Sequence, residues 1–417
     1  MVTVNARTIC IFEDAAYTRL LPPAYTRPVY DLVCGLSTLR EKILRQYRGY
    51  ECILHCRSYL AATLRIENPG IRINETPGGD CLFINGRILV AADFAGHIPM
   101  EGKETLYVSG KTLIAARVGR ERAQRLDLAS PLDLETFAIG ERIECDADMI
   151  RYPWDCIERN GEYIRQDFEQ KIGTGSLGEG IHESVTVLEE HRVFVERGAR
   201  IKPNVVLDAE GGPIYVGQRA TISSNATIEG PAVIGPETQV NAGARISGGT
   251  TIGPICKIGG EVSQSIIHGY SNKQHDGYLG HSYIGSWVNL GAGTTNSDLK
   301  NNYQPVRVCV NGEFVNTESL FVGLIMGDHS KTGIQTMFTT GTVVGVSCNV
   351  FGADFPPKYI PSYSWGGSGG VTEYELEKAI ETARTVMARR NRELTPEGED
   401  LLRYIFGITA AERGSVA

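Results

Sequence analysis

The sequence has no basic excess. Its 41 Lys and Arg stand against 49 Asp and Glu, a formal net charge of −8 and a pI of about 5.6. That balance argues against a protein held to nucleic acid through clustered phosphate contacts. No apolar run approaches the roughly 20 residues needed to span a bilayer. The first residues lack the apolar core of a secretory signal, so a cytoplasmic protein is expected. Ten cysteines are scattered without CxxC spacing, Cys52 and Cys56 being the nearest pair. Free thiols fit that pattern better than disulfides or a metal centre. A chain of 417 residues has room for two or three domains.

A period of six residues dominates the middle of the chain. Val216, Ile222, Ile228, Ile234, Val240, Ile246, Ile252 and Ile258 hold it without a slip. With 42% hydrophobic residues, such a run in one fixed register has a chance probability of about 0.1%. The fourth residue after each is compact: Ala220, Ala226, Ala232, Thr238, Ala244, Thr250, Cys256 and Val262. Six matches neither a helix nor an alternating strand. It fits a parallel β-helix, in which three hexads close one triangular coil of about 18 residues. Gly217, Gly235, Asn241, Gly253 and Gly259 are expected to supply turn conformations at the corners. The hexads start at Val195, Ile201 and Leu207, continue through Ile284 and Leu290, and return from Phe338 through Val344 to Val350. This spacing resembles the hexapeptide repeat of acyltransferases with a left-handed β-helix. The hand comes from that resemblance alone, since the general crossover rule favours the opposite one.

Residues 1–172 read as mixed α/β. Thr8 to Phe12, Cys52 to Leu54 and Leu82 to Ile84 look like buried strands, and Leu36 to Tyr47 has helical spacing with Ser37 or Thr38 as a cap. Such alternation predicts a sheet covered by helices. The run from Thr18-Arg19-Leu20 through Arg27-Pro28-Val29 to Arg40-Glu41-Lys42 resembles sugar-1-phosphate nucleotidyltransferases, which implies a Rossmann-like nucleotidyltransferase domain. There a glycine-rich loop ending in Thr-Arg-Leu cradles nucleotide phosphates and basic side chains neutralise their charge. The resemblance implies phosphate binding by Arg27, with Arg40 and Lys42 nearby; no role follows for Arg19. Two departures stand out. Asp14-Ala15-Ala16-Tyr17 replaces the glycines, and Asn85-Gly86-Arg87 replaces an Asn-Gly-Asp whose carboxylate binds Mg²⁺. Asp167 is then the remaining candidate metal ligand.

A glycine-rich joint over 173–180 precedes the β-helix, expected over 180–362. Two stretches interrupt the repeats, Ser271 to Ser282 and Asp298 to about Glu318, and chemistry tends to lie where a scaffold is interrupted. Asn311-Gly312 predicts a hairpin in the second. Gly366 to Gly370 reads as a flexible linker, and 371–413 as helices started by a Thr372–Glu375 capping box and by Thr395-Pro396.

Acetylating an amino sugar requires a base with a pKa near neutrality beside the amine. His275-Asp276-Gly277-Tyr278-Leu279-Gly280, followed by Val288-Asn289-Leu290-Gly291-Ala292-Gly293, resembles glucosamine-1-phosphate acetyltransferases, particularly the GlmU-like two-domain type in which a uridyltransferase comes first. The resemblance implies His275 as general base, Tyr278 and Asn289 on the sugar, and acetyl-CoA along a neighbouring coil. Lys331 would meet a sugar phosphate or CoA. His281 and His329 are expected to be structural. Asp298 stands where relatives commonly carry asparagine, a carboxylate that would repel a phosphorylated acceptor. The implied protein is a homotrimer using a sugar 1-phosphate, UTP or another NTP, acetyl-CoA and Mg²⁺. Two rivals stand beside it: one retained activity, or a non-catalytic trimeric scaffold binding NDP-sugar.

Overall fold

The computed structural model describes residues 3–91 and 93–414. The chain forms two compact units that interleave along the sequence. The first comprises Met1–Leu20, Thr26–Leu32 and Ser37–Arg151; the second comprises Leu21–Tyr25, Val33–Leu36 and Tyr152–Ala417.

The first unit is built on a seven-stranded mixed sheet. Its strands are β1 (Thr8–Phe12), β2 (Glu51–Leu54), β3 (Arg72–Ile73), β4 (Cys81–Asn85), β5 (Thr105–Ser109), β6 (Thr112–Val118) and β7 (Arg142–Glu144), in the order β7-β5-β6-β4-β1-β2-β3. β4, β1, β2 and β3 run parallel, and β6 joins β4 antiparallel. Every residue of β1 and β4 is buried, as expected of parallel strands covered on both faces. Helix α1 (Leu39–Gln46) starts at Thr38, whose hydroxyl accepts from Glu41 N at 3.2 Å while the Glu41 carboxylate accepts from Thr38 N at 2.9 Å. That reciprocal cap satisfies two of the orphan donors at a helix start.

The second unit is a parallel β-helix with helical additions. Three parallel sheets form its faces: six strands from Thr186–Leu188 to Tyr278–Gly280, nine from Val193–Val195 to Tyr359–Ile360, and five from Arg200–Ile201 to Asn272–Lys273. Val216 stacks on Ile234 and Ile234 on Ile252. The eight hexad residues are at most 1% exposed; Ala220, Ala226, Ala232, Ala244, Cys256 and Val262 fill the same core, and Thr238 and Thr250 are buried beside them. The corners correct one expectation. Gly217, Gly235, Asn241, Gly253 and Gly259 are not in the left-handed region; Arg219, Glu237, Gly243, Ile255 and Gly260 are. Gly217, Gly235 and Gly253 are instead required by stacking, because a Cβ on each would strike the backbone of the next coil.

Helix α2 (Pro153–Lys171) also departs from the linear reading. It belongs to the second compact unit, the first ending at Arg151. Asn160 explains why: its Oδ1 accepts from Gly35 N at 2.7 Å, and its Nδ2 donates to Gly249 O at 2.8 Å and Thr251 Oγ1 at 3.0 Å. Further on, Ile284 pairs with Met326, Asn289 bridges Lys331 and Asn296 pairs with Phe338, so the chain stays in the coil as far as Asn296 and the segment after it leaves as an insertion. It contains the expected hairpin, Arg307–Val310 with Glu313–Asn316, turned by Asn311 and Gly312 at φ 51° and 83°. The glycine-rich stretch is no linker: Ser364–Gly367 pairs antiparallel with Gly370–Glu373. Thr372 therefore lies in a strand and caps nothing. Helix α3 (Leu376–Ala388) begins after Glu375 without a side-chain cap, whereas α4 (Pro396–Ile408) is capped by Thr395. Among the described residues, no helix is long and apolar enough to cross a membrane.

Candidate functional sites

In the first unit a cleft of about 420 Å³ opens at the carboxyl ends of β1 and β4, lined by Asp14, Arg19, Arg87, Lys111, Asp133 and Arg151 among others. Parallel sheets bind ligands at this edge. Asp14 follows β1 and Arg87 follows β4. Arg87 Nε lies 2.8 Å from Asp14 Oδ1, its other arm reaches Asp14 Oδ2, and its third nitrogen donates to Ile150 O at 2.9 Å. Asn85 Nδ2 adds a bond to Asp14 Oδ2 at 2.8 Å. One residue earlier, Glu13 is wholly buried and accepts from Val29 N, Arg57 N and the Arg57 guanidinium at 2.8–3.1 Å. Two fork-shaped ion pairs thus pin the loop that glycines hold in the typical family pattern.

Arg27, Arg40 and Lys42 do not line this cleft. Arg27 is half-buried, and its carbonyl accepts from Arg57 at 2.8 Å. Arg40 Nε lies 2.9 Å from Asp31, and Lys42 is 3% exposed within α1. Burial pushes the Asp31 carboxyl up to about 7 against the pull of Arg40. The cleft presents Arg19, Lys111 and Arg151 instead. Arg19 was detectable, since it belongs to the Thr-Arg-Leu match.

The residues present do not fit a carboxylate-held Mg²⁺. Asp14 is bracketed by Arg87 and Asn85, and Asp133 accepts from Glu135 N and Thr136 N as a helix cap. Asp167 lies in α2 of the second unit, buried, with Oδ2 accepting from Leu36 N at 2.9 Å. Among the described residues no three His, Cys, Asp or Glu side chains cluster as metal ligands.

In the second unit, the repeats break where expected. His275 lies exposed on a bend between Asn272–Lys273 and Tyr278–Gly280. Its carbonyl accepts from the buried Lys273 Nζ at 2.7 Å. Tyr278 donates its phenol to Asp298 Oδ2 at 2.6 Å, and His281 Nδ1 lies 2.8 Å from that same oxygen. Burial raises the Asp298 carboxyl, but the hydrogen bonds from His281 and Tyr278 outweigh it and hold the group below its ordinary value. His281 sits at a corner, at φ 43°, with this carboxylate beside it.

Asn289 and Lys331 belong to another face: Asn272, Asn289 and Lys331 are bridged strand to strand. There a cleft of about 430 Å³ lies between the prism and the end of α3, lined by Lys257, Tyr270, Asn272, Trp287, Asn289, Lys331, Arg389 and Arg390. Among the described residues, no acidic one lines it. Arg390 donates to Asn272 Oδ1 at 2.7 Å, and Asn272 donates to Asn289 Oδ1 at 3.2 Å. Lys331 Nζ donates to His329 O at 2.7 Å, and burial pushes its amine down to about 8. Tyr270 and Trp287 stack at 4.1 Å, with Arg392 over Tyr270 and His329 beyond Trp287. Lys257, Arg389 and Arg390 carried no repeat or motif signal. Only the fold of α3 onto the prism brings them in.

Residues 9–172 match the family described as sugar nucleotidyl transferase. The bifunctional protein GlmU of Methanocaldococcus jannaschii is 39% identical over 88 residues, 21% of this chain and 21% of that protein. A bifunctional sugar-1-phosphate nucleotidylyltransferase/acetyltransferase of Sulfurisphaera tokodaii is 33% identical over 97 residues, 23% of this chain and 24% of that protein. Each match thus spans less than a quarter of the relative's length. Among solved structures, the UDP-N-acetylglucosamine acyltransferase of Arabidopsis covers 56% of this chain and 93% of its own, at 12% identity and a TM-score of 0.28. Residues 9–172 are thus similar to sugar nucleotidyl transferases, and the chain resembles GlmU-type bifunctional proteins over the short stretches matched, with a hexad-repeat β-helix following the first region.

Proposed function

We propose that this protein is a bifunctional transferase of amino-sugar nucleotide synthesis. Its β-helix acetylates a hexosamine 1-phosphate, glucosamine 1-phosphate fitting best, and its first unit couples the product to UTP with release of pyrophosphate. One observation carries the reading. Lys257, Lys331, Arg389 and Arg390 surround a cleft that no carboxylate lines, beside Asn289. Gathering four cations without neutralising them is unfavourable unless a polyanion arrives, and acetyl-CoA and a sugar phosphate both carry phosphates.

Acetyl transfer then proceeds from this chain's own groups. His275 takes a proton from the acceptor ammonium, freeing the nitrogen lone pair. That pair forms the C–N bond at the thioester carbonyl, the C–S bond breaks, and CoA leaves as a thiol. Tyr278 and Asn289 hold the sugar, and Lys331 a phosphate. Tyr278 and Asn289 lie on different sheets of one prism. This favours a homotrimer in which neighbouring copies complete each site. In the first unit, Arg19, Lys111 and Arg151 meet the nucleotide phosphates. All ten cysteines are free, consistent with a cytoplasmic protein.

The second reading is a first unit that binds nucleotide without turning it over, favoured by the Arg87–Asp14 pair and by the lack of a metal-binding cluster among the described residues. Thiol release from acetyl-CoA with glucosamine 1-phosphate tests the main reading. Activity is expected in the wild type, with KM raised at least tenfold in Lys331→Ala. An inactive wild type with every hexosamine phosphate would refute it.

A further inference from the structure

The inserted segment closes on a single side chain. Asp298 opens it, and Asp298 O accepts from Val322 N at 3.0 Å. Leu299 bridges Phe321 antiparallel, and His281 O accepts from Gly323 N at 2.8 Å. Both ends of the insertion therefore meet at His281. One end supplies a carboxylate to Nδ1; the other lays Phe321 over the imidazole, ring centroids 4.9 Å apart at 24°. The His281 and Asp298 side chains are 12% and 13% exposed. A carboxylate on Nδ1 fixes the tautomer, leaving Nε2 as the proton-accepting nitrogen.

Acetylation of an ammonium has a second proton to place. The ammonium carries three N–H bonds and the amide product one, so two protons leave nitrogen. The first goes to His275 before attack. The second leaves the cationic nitrogen of the tetrahedral adduct, and the departing CoA thiolate needs a proton. We infer that His281, oriented by Asp298 and Tyr278, is the second proton-transfer residue of the acetyl-transfer site, taking the adduct's proton on Nε2 and delivering it to the thiolate. The inference rests on the acetyl-transfer reading above. It makes Asp298 a positioning residue.

The test uses the full-length chain with acetyl-CoA and glucosamine 1-phosphate. His281→Ala should lower kcat by about 10 to 10²-fold, leave the Kd for CoA within twofold, and recover rate with added imidazole. Asp298→Asn should lower kcat about tenfold at unchanged KM, and Asp298→Glu should restore part of it. Should His281→Ala fail to fold, Asp298→Asn carries the test alone, since an amide keeps the shape and loses the charge. Overturning results are a kcat within twofold of wild type in both variants, or a loss in Asp298→Asn accompanied by an equal loss of CoA affinity. A wild type that releases no CoA thiol removes the acetyl-transfer reading and this inference together; an active wild type with intact variants removes this inference only.

Discussion

In the first unit the guanidinium of Arg87 faces Asp14 and that of Arg57 faces Glu13, whereas in the β-helix cleft Lys257, Lys331, Arg389 and Arg390 face no lining carboxylate. The first arrangement uses charge to hold a loop. Each pair is desolvated, and each guanidinium is matched by a carboxylate in fork geometry. The second arrangement leaves charge unmatched on a preformed wall. The difference teaches that cation number says little about a phosphate site; the state of the counter-charges says more. Here it predicts a first unit that loses stability when a cation is removed, and a β-helix unit that loses binding.

The largest effect expected is on turnover in the β-helix. His275→Ala should lower acetyl-transfer kcat by about 10² to 10⁴-fold, with CoA affinity nearly unchanged in titration calorimetry. Next comes the structural half of the comparison. Arg57→Ala strands Glu13 in the core and should destabilise the first unit by about 3–5 kcal/mol, read from its urea midpoint. A loss below about 1 kcal/mol would place this pair with weak surface bridges instead.

Smaller effects sharpen the other half. Replacing Arg389 and Arg390 together with alanine should weaken CoA binding at least tenfold and flatten its salt dependence, while leaving the thermal midpoint near wild type. If the midpoint collapses and affinity holds, these arginines are structural after all. Smallest is a pH effect. Lys331 has its amine pushed down to about 8 by burial, so its charge is present below that pH and lost as pH rises through it. CoA affinity should therefore fall by a few-fold between about pH 7 and pH 9. In Lys331→Met that part of the pH dependence should vanish.

The β-helix was legible because its physical cause is local and repeated: every sixth side chain enters the prism, and all eight from Val216 to Ile258 are buried. Interruptions were legible for the same reason, as losses of period around His275 and Asp298. Side-chain assignment within them was not. Asp298 lies 17 residues after His281, close to one coil, so spacing stacks the two positions; what it does not encode is that their side chains pair. The basic wall of Arg389 and Arg390 depends on where α3 docks, and Lys257 faces it only because the coils stack. In the first unit, Arg27 and Arg40 were read from motif position, but Arg40 is drawn to Asp31, while Arg19 reaches the cleft. The corner glycines failed for another reason: glycine answers either a positive φ or a close approach, and sequence does not separate the two.

The most direct test is mass spectrometry of the products formed from glucosamine 1-phosphate, acetyl-CoA and UTP by the wild type, with Mg²⁺ and separately with EDTA. The account predicts the N-acetylated sugar phosphate under both conditions, with its UDP adduct and pyrophosphate beside it when Mg²⁺ is present. A nucleotide sugar formed with no acetylated product, or no product of either kind, would contradict it.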